Sequence, residues 1–248
     1  MLKSVLVTGG GSGIGAAVAI ALAKRGCQVI ISGRRLEALK PLAEKSANIT
    51  AHASDVTNDA DRTHLARLLS AMPGPRGVFH AAGYFQLGKL ESLTESEWCR
   101  SFDTNVTARW ALSKLCAPHL EGGRILFIGS DSARNIRSGG AAYSVAQAAS
   151  ETLRRALQTE WAEKNIGIGA FKPGLVDTDM VRGFLSVSQD RFPANQAFQS
   201  YIDRGEFVTP DQVGQFASWL MLDVDTHRFE STEWDLRESD HHAEWSKF

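Results

Sequence analysis

Glycines crowd one short stretch of this chain in an order that suits phosphate chemistry: Thr8-Gly9-Gly10-Gly11-Ser12-Gly13-Ile14-Gly15. The stretch follows an apolar run, Leu2 to Val7, and opens an alanine-rich segment, so a strand, a tight turn and a helix are expected in succession. Such a turn must reach backbone angles closed to other residues, let a diphosphate approach the main chain, and pack a helix tightly on a strand. Unpaired N–H groups at the helix start, aided by the helix dipole, then favour the anion. Gly9, Ser12, Gly13, Ile14 and Gly15 are therefore the expected cradle of a dinucleotide. The next apolar run ends Ile31-Ser32-Gly33-Arg34-Arg35. A carboxylate at that strand end would bond the ribose hydroxyls and repel a 2′-phosphate; here none is present and two guanidiniums follow. Arg34 and Arg35 suit the phosphate of NADP better than the alternative, the solvated start of the next helix.

Positioning such a site requires repeated β-α-β units, and the pattern along the chain supplies them. Apolar runs rich in Val and Ile alternate with longer segments of helical period. Strands are predicted at Lys3 to Thr8, Gln28 to Ser32, Asn48 to His52, Gly77 to Ala81, Arg124 to Gly129 and Gly167 to Phe171, with a weak seventh near Glu233 to Leu236. The helix from Ile14 to Arg25 should stop at Gly26, Asp55 or Thr57 can cap the helix reaching Met72, and Thr94 with Glu97 forms a capping box. Tyr143 to Lys164 reads as another long helix. The expectation is one α/β domain over residues 1–248, a doubly wound parallel sheet of about seven strands with helices on both faces. The least patterned stretch, 182–208, has the length of a substrate loop.

The spacing Thr-Gly-x-x-x-Gly-x-Gly resembles that of the short-chain dehydrogenase/reductase family, and the resemblance continues to about Thr178. It implies a Rossmann-like sheet that binds NAD or NADP. Asp55-Val56 resembles the adenine-contacting pair, though an Asp beside Thr57 could also be only a helix cap. Ala82-Gly83 resembles the element beside the cofactor, and Pro173, Val176 and Thr178 match the turn that contacts the nicotinamide amide. Family members act through a serine, a tyrosine, a lysine four residues beyond it and an upstream asparagine. Ser130, Tyr143 and Asn105 occupy three of these places, with Ser132 as a fallback for the first. The resemblance implies that Tyr143 protonates a carbonyl oxygen while hydride arrives, with Ser130 polarising that oxygen.

The fourth place holds Gln147. Glutamine can still hold the nicotinamide ribose hydroxyls but carries no charge to acidify the phenol. Alcohol oxidation, which needs the phenolate, should suffer most, whereas reduction needs the neutral phenol. The leading expectation is thus an NADP-dependent reductase of a small carbonyl compound. A dinucleotide-binding protein that has lost catalysis, serving as a sensor or assembly subunit, is the alternative. Another residue, such as Lys114 or Lys172, could supply the missing cation.

Composition narrows the partners. With a net charge of -1 and basic residues scattered, the chain lacks the stripe that nucleic acid or an anionic membrane requires. Cys27, Cys99 and Cys116 are widely spaced, which suits reduced thiols and a cytoplasmic protein. Phe184, Phe192, Phe198, Tyr201 and Phe207 could cover an apolar substrate with Tyr84 and Phe85, or simply pack a core. The resemblance implies a homodimer or homotetramer formed by the helices of Asn105 and Tyr143, with Trp110 and Trp161 as candidate contacts. In the tail, His241 and His242 lack further ligands at a metal spacing and read as solvated; no metal is expected.

Overall fold

Strand alternation sets the architecture. In β1 (Ser4–Thr8), Val5 and Val7 point to one face of the sheet and Leu6 to the other, and both faces are buried. The computed structural model describes residues 1–247, apart from the side chains of Leu185, Ala197 and Ile202; Phe248, the last residue of the tail, lies outside the described residues. Its further strands are β2 (Gln28–Gly33), β3 (Ile49–Ala53), β4 (Arg76–His80), β5 (Arg124–Ile128), β6 (Gly167–Lys172) and a two-residue β7 (Trp234–Asp235). All neighbours pair in parallel, in the order β3-β2-β1-β4-β5-β6-β7, with Leu6 of β1 level with Ile30 of β2 and Val78 of β4. This is the expected doubly wound sheet. Strand order reverses between β1 and β4, which leaves a crevice beyond their carboxyl ends.

The helices are α1 (Gly13–Lys24), α2 (Leu36–Ala43), α3 (Asp59–Ser70), α4 (Glu95–Phe102), α5 (Ala108–Cys116), α6 (Ala141–Glu160), α7 (Asp179–Leu185), α8 (Asn195–Asp203), α9 (Pro210–Leu222), α10 (Thr226–Ser231) and α11 (His242–Trp245). Val18 and Leu22 of α1, Leu39 of α2 and Phe216 of α9 cover one sheet face, against Val5, Val7, Val29 and Ile31. Leu65 and Leu69 of α3, Leu112 of α5 and Leu157 of α6 cover the other, against Leu6, Ile30, Val78 and Ile125.

Several local expectations are corrected. The cap of α3 is Asn58, whose side chain accepts from the Asp61 amide, while Asp55 accepts from Thr57 instead. The capping box of Thr94 and Glu97 forms as read, but the helix it opens is interrupted by a π turn at Asp103–Thr107 before α5. Helix α9 carries its own signature, Thr209-Pro210 with Gln212 closing a capping box, which the sequence reading passed over. Most of α9 is buried because α1, β7 and the tail enclose it.

The tail is not solvated at His241. Its ring is 5% exposed and stacks on Trp219 at 5.9 Å, with Phe216, Trp234 and Trp245 around it; His242 alone stays exposed. These aromatic contacts fasten the chain end over β7 and α9. Trp234, 1% exposed, is the centre of that cluster. Truncating Trp234→Ala is expected to lower stability by about 3–5 kcal/mol, read as a fall in the urea midpoint with an unchanged slope. No helix among the described residues is long and apolar enough to cross a membrane.

Candidate active site

Beyond β1 the chain turns at Gly9, whose φ of +64° belongs to glycine, and a Cβ there would lie 2.7 Å from the Ala82 amide nitrogen. At Gly15 a Cβ would fall on the Gly9 carbonyl. The turn and the end of β4 therefore touch through bare backbone, and α1 starts without a side-chain cap from Ser12, so its first amides face the crevice.

That crevice is a cleft of about 380 Å³. Of the expected site residues, Gly9, Ser12, Gly13, Ile14, Gly15, Arg34, Arg35, Asp55, Val56, Ala82, Gly83, Tyr143, Gln147 and Thr178 line it. Arg34 and Arg35 stand exposed at the β2 end. Ser54, which also lines the cleft, keeps a buried hydroxyl with no protein partner, as fits a place where a ligand group docks. Burial pushes the Asp55 carboxyl up, but bonds from the Thr57 amide and hydroxyl, with Arg34 and Arg100 nearby, outweigh that and hold it low. The loop after β6 reaches over the glycine turn: the Thr178 methyl would lie 3.1 Å from a Cβ on Gly13, and its hydroxyl caps α7. A glycine cradle, an unpartnered hydroxyl and paired guanidiniums fit a dinucleotide.

Asn105, Ser130, Pro173 and Val176 do not line this cleft. Asn105 lies in the π turn, fully buried, and spends its amide on main chain: Nδ2 donates to the carbonyls of Tyr84 and Ser101 at 2.7 and 2.9 Å, and Oδ1 accepts from the Tyr84 amide at 3.1 Å. It thereby fixes the segment leaving β4. Val176 is buried and bridges to Val208. Ser130 follows β5 and, with Gln147, lines a second cavity of about 50 Å³ behind the cleft. Ser132 lines neither cavity, and its amide donates to the Ser130 hydroxyl.

Tyr143, in the first turn of α6, lines the cleft, and Gln147, one turn on, lines both the cleft and the second cavity. Burial pushes the Tyr143 phenol above the usual range, while Arg109, Ser130 and Gln147 pull it down in part. Its ring stacks on Phe85 at 4.3 Å, and Phe85 in turn meets Phe184 at 4.5 Å and Phe192 at 6.1 Å. Phe184, Phe192 and Phe198 thus form a satellite core that reaches the phenol, whereas Tyr201 and Phe207 are only half-buried outside that cluster. Lys114 lies over the Trp110 ring and Lys172 is 3.9 Å from Glu233; neither lines the cleft. The cation that does reach it from α5 is Arg109, a residue that sequence reasoning missed.

A dinucleotide cradle opening beside an apolar-walled phenol defines an oxidoreductase that works with a nicotinamide cofactor. The chain belongs to the short-chain dehydrogenase family: the sequence model described as short chain dehydrogenase matches residues 3–187. It is 33% identical over 227 residues to the versicolorin reductase of Emericella nidulans, covering 88% of this chain and 81% of that protein. A Zymoseptoria tritici protein named as a probable tetrahydroxynaphthalene reductase is 30% identical over 231 residues, 89% of this chain and 81% of its own. Among solved structures, a candidate NAD(P)-dependent gluconate 5-dehydrogenase from Beutenbergia cavernae, with NADP bound at low occupancy, superposes with a TM-score of 0.80 at 26% identity over 94% of each chain.

Behind the cleft, His80 is buried at the end of β4, with Nε2 2.9 Å from the Ser113 hydroxyl. Burial, with Arg109 nearby, pushes its imidazole down to about 3. An unfolded imidazole binds its proton near pH 6.5 while the folded one does not, so stability should be complete above that pH and fall on acidification by about 1 kcal/mol per pH unit. Thermal melts of the protein and of His80→Gln between about pH 7 and pH 5 check this; the variant should show the flatter dependence.

Proposed function

We propose that this chain is an NADP-dependent reductase of a planar aromatic carbonyl compound. The observation that carries the reading is the Tyr143 phenol, set at the junction of the glycine-lined cleft and the phenylalanine wall. The name of the Zymoseptoria tritici relative supports the substrate class, since a naphthalene is a flat fused aromatic. Segment 182–208, which carries Phe184, Phe192 and Phe198, covers that substrate.

Gly9, Ser12, Gly13, Ile14 and Gly15 hold the diphosphate, and Arg34 and Arg35 the 2′-phosphate. Asp55 and Val56 border the adenine, and Ala82 and Gly83 pass beside the nucleotide. Thr178 meets the nicotinamide amide, on a turn that Pro173 and Val176 shape from outside the cleft, and Gln147 holds ribose hydroxyls. Bound there, the reduced nicotinamide supplies a hydride. The carbonyl carbon takes it, and the oxygen takes the Tyr143 proton, leaving an alcohol and a phenolate that regains its proton from water. Ser130 polarises the oxygen, and Asn105 positions the backbone at Tyr84. Because burial keeps the phenol neutral at physiological pH, reduction is the favoured direction.

Gln147 is the observation that favours a second reading, a dinucleotide-binding subunit without turnover. Oxidation of NADPH against a panel of aromatic ketones and quinones separates the two: tight NADPH binding without turnover on any of them would replace the first reading with the second. Tyr143→Phe is expected to lower kcat by about 100-fold or more. Reduction should hold steady through neutral pH and fall only in strongly alkaline solution, beyond the range in which an ordinary phenol ionises. Replacing both arginines, Arg34→Glu with Arg35→Glu, should raise KM for NADPH by roughly 10- to 100-fold and leave that for NADH little changed; equal losses for the two nucleotides would refute the phosphate assignment.

A further inference from the structure

Arg109 sits on the inward face of α5, one position from Ala108 and in line with Leu112, Ser113 and Cys116, all buried. It is 4% exposed. Its Nη1 donates to the Ile128 carbonyl at 3.1 Å and to the Ser150 hydroxyl at 2.9 Å. Ile128 ends β5, two residues before Ser130, and Ser150 lies one turn of α6 beyond Gln147. The guanidinium therefore ties together the two elements that bring Ser130, Tyr143 and Gln147 to one place, and it lines the same cleft as Tyr143 and Gln147. Its Nε has no partner, and among the described residues no carboxylate forms an ion pair with it. Two neutral oxygens are thin compensation for a guanidinium taken out of water.

We propose that Arg109 provides the positive charge for the Tyr143 phenol, entering from α5 and standing in for the cation that Gln147 lacks on α6. The inference rests on Tyr143 being the proton donor assigned above. Burial pushes Arg109 down to about 10, with Tyr143 pulling it back up, so it stays protonated at neutral pH. The other groups around the phenol cannot take this part. His80, which feels Arg109 from β4, is held neutral by burial; Ser130 and Gln147 are uncharged; Arg100 and Asp179 line the cleft from α4 and α7 and do not figure among the influences on the phenol. When the phenol gives up its proton, the guanidinium stabilises the phenolate left behind. A buried tyrosine without a cation would otherwise be driven out of reach of reversible proton transfer.

The test reads the Tyr143 proton directly, in protein without nucleotide. With [13Cζ]tyrosine, the chain's three tyrosines are assigned by single Tyr→Phe changes and followed by NMR from about pH 8 to about pH 11. Arg109→Met removes the charge, and Arg109→Gln does so while keeping a donor for Ile128 and Ser150. Either folded variant should move Tyr143 ionisation upward, so that at about pH 11 the Tyr143 signal stays with the neutral phenol while the parent's has begun to move. Adding Gln147→Lys to that variant should bring it back down, and Arg109→Lys should stay near the parent. In the pH profile, alcohol oxidation at a fixed pH should drop about ten-fold for each pH unit by which the phenol's ionisation rises, while KM for NADPH stays the same. An unmoved Tyr143 titration overturns the proposal, and so does an upward displacement that Gln147→Lys fails to reverse. A displaced and rescued titration in a protein with no turnover would instead remove the reductase reading and leave the pairing of Arg109 with Tyr143 standing.

Discussion

The molecule depends on two stretches of backbone passing within contact distance with no side chain between them. The turn after β1 and the segment leaving β4 meet at Gly9 and Ala82, where even a methyl group would overlap. Because strand order reverses between these neighbours, their carboxyl ends diverge above the contact and leave the cleft. The lining of the cleft is arranged relative to that junction. The amides of α1 lie on one side, Ala82, Gly83 and the Asn105-bonded backbone of Tyr84 on the other, and Thr178 closes over the top.

Around this junction the protein handles charge in two ways. At the β2 end of the cleft, Arg34 and Arg35 stay in water and carry their charge without the cost of burial. At the chemical end the medium is apolar, so each ionisable group is displaced: His80 is held neutral and the Tyr143 phenol is pushed upward by loss of water. One cation in such surroundings acts at greater strength than it would at the surface, because little solvent screens it. The identity of residue 147 therefore does not by itself decide how acidic the phenol is; the whole shell around it does.

What the sequence made legible was what backbone sterics and strand periodicity enforce locally. The glycine turn, six of the strands to within a residue or so at either end, and the Thr94 capping box could be read because each depends on neighbours in the chain. Helix α9 was legible in principle, through Thr209, Pro210 and Gln212, yet its apolar surface runs all round and shows no simple stripe. His241 was misread because polarity in the tail said nothing of the tryptophans that would enclose it. Arg109 was invisible for a deeper reason. An arginine between Ala108 and Trp110 looks like an ordinary surface residue, and only the packing of α5 against β5 and α6 turns it inward while Trp110, next along, is left 45% exposed.

The π turn at Asp103–Thr107 bears on how that inward face is set. A turn of this kind carries one residue more than the α-helical repeat, so all that follows is rotated by about 100° relative to an uninterrupted helix. Asn105 lies within the widened turn and Arg109 just after it, so one local insertion sets the angular phase of both. Excising a single residue here would tighten the spiral and swing the guanidinium out of its slot without altering any side chain that meets the cofactor. Lineages that lengthen or shorten this segment could therefore retune the chemistry by rotation, a route that comparison of active-site residues position by position would overlook.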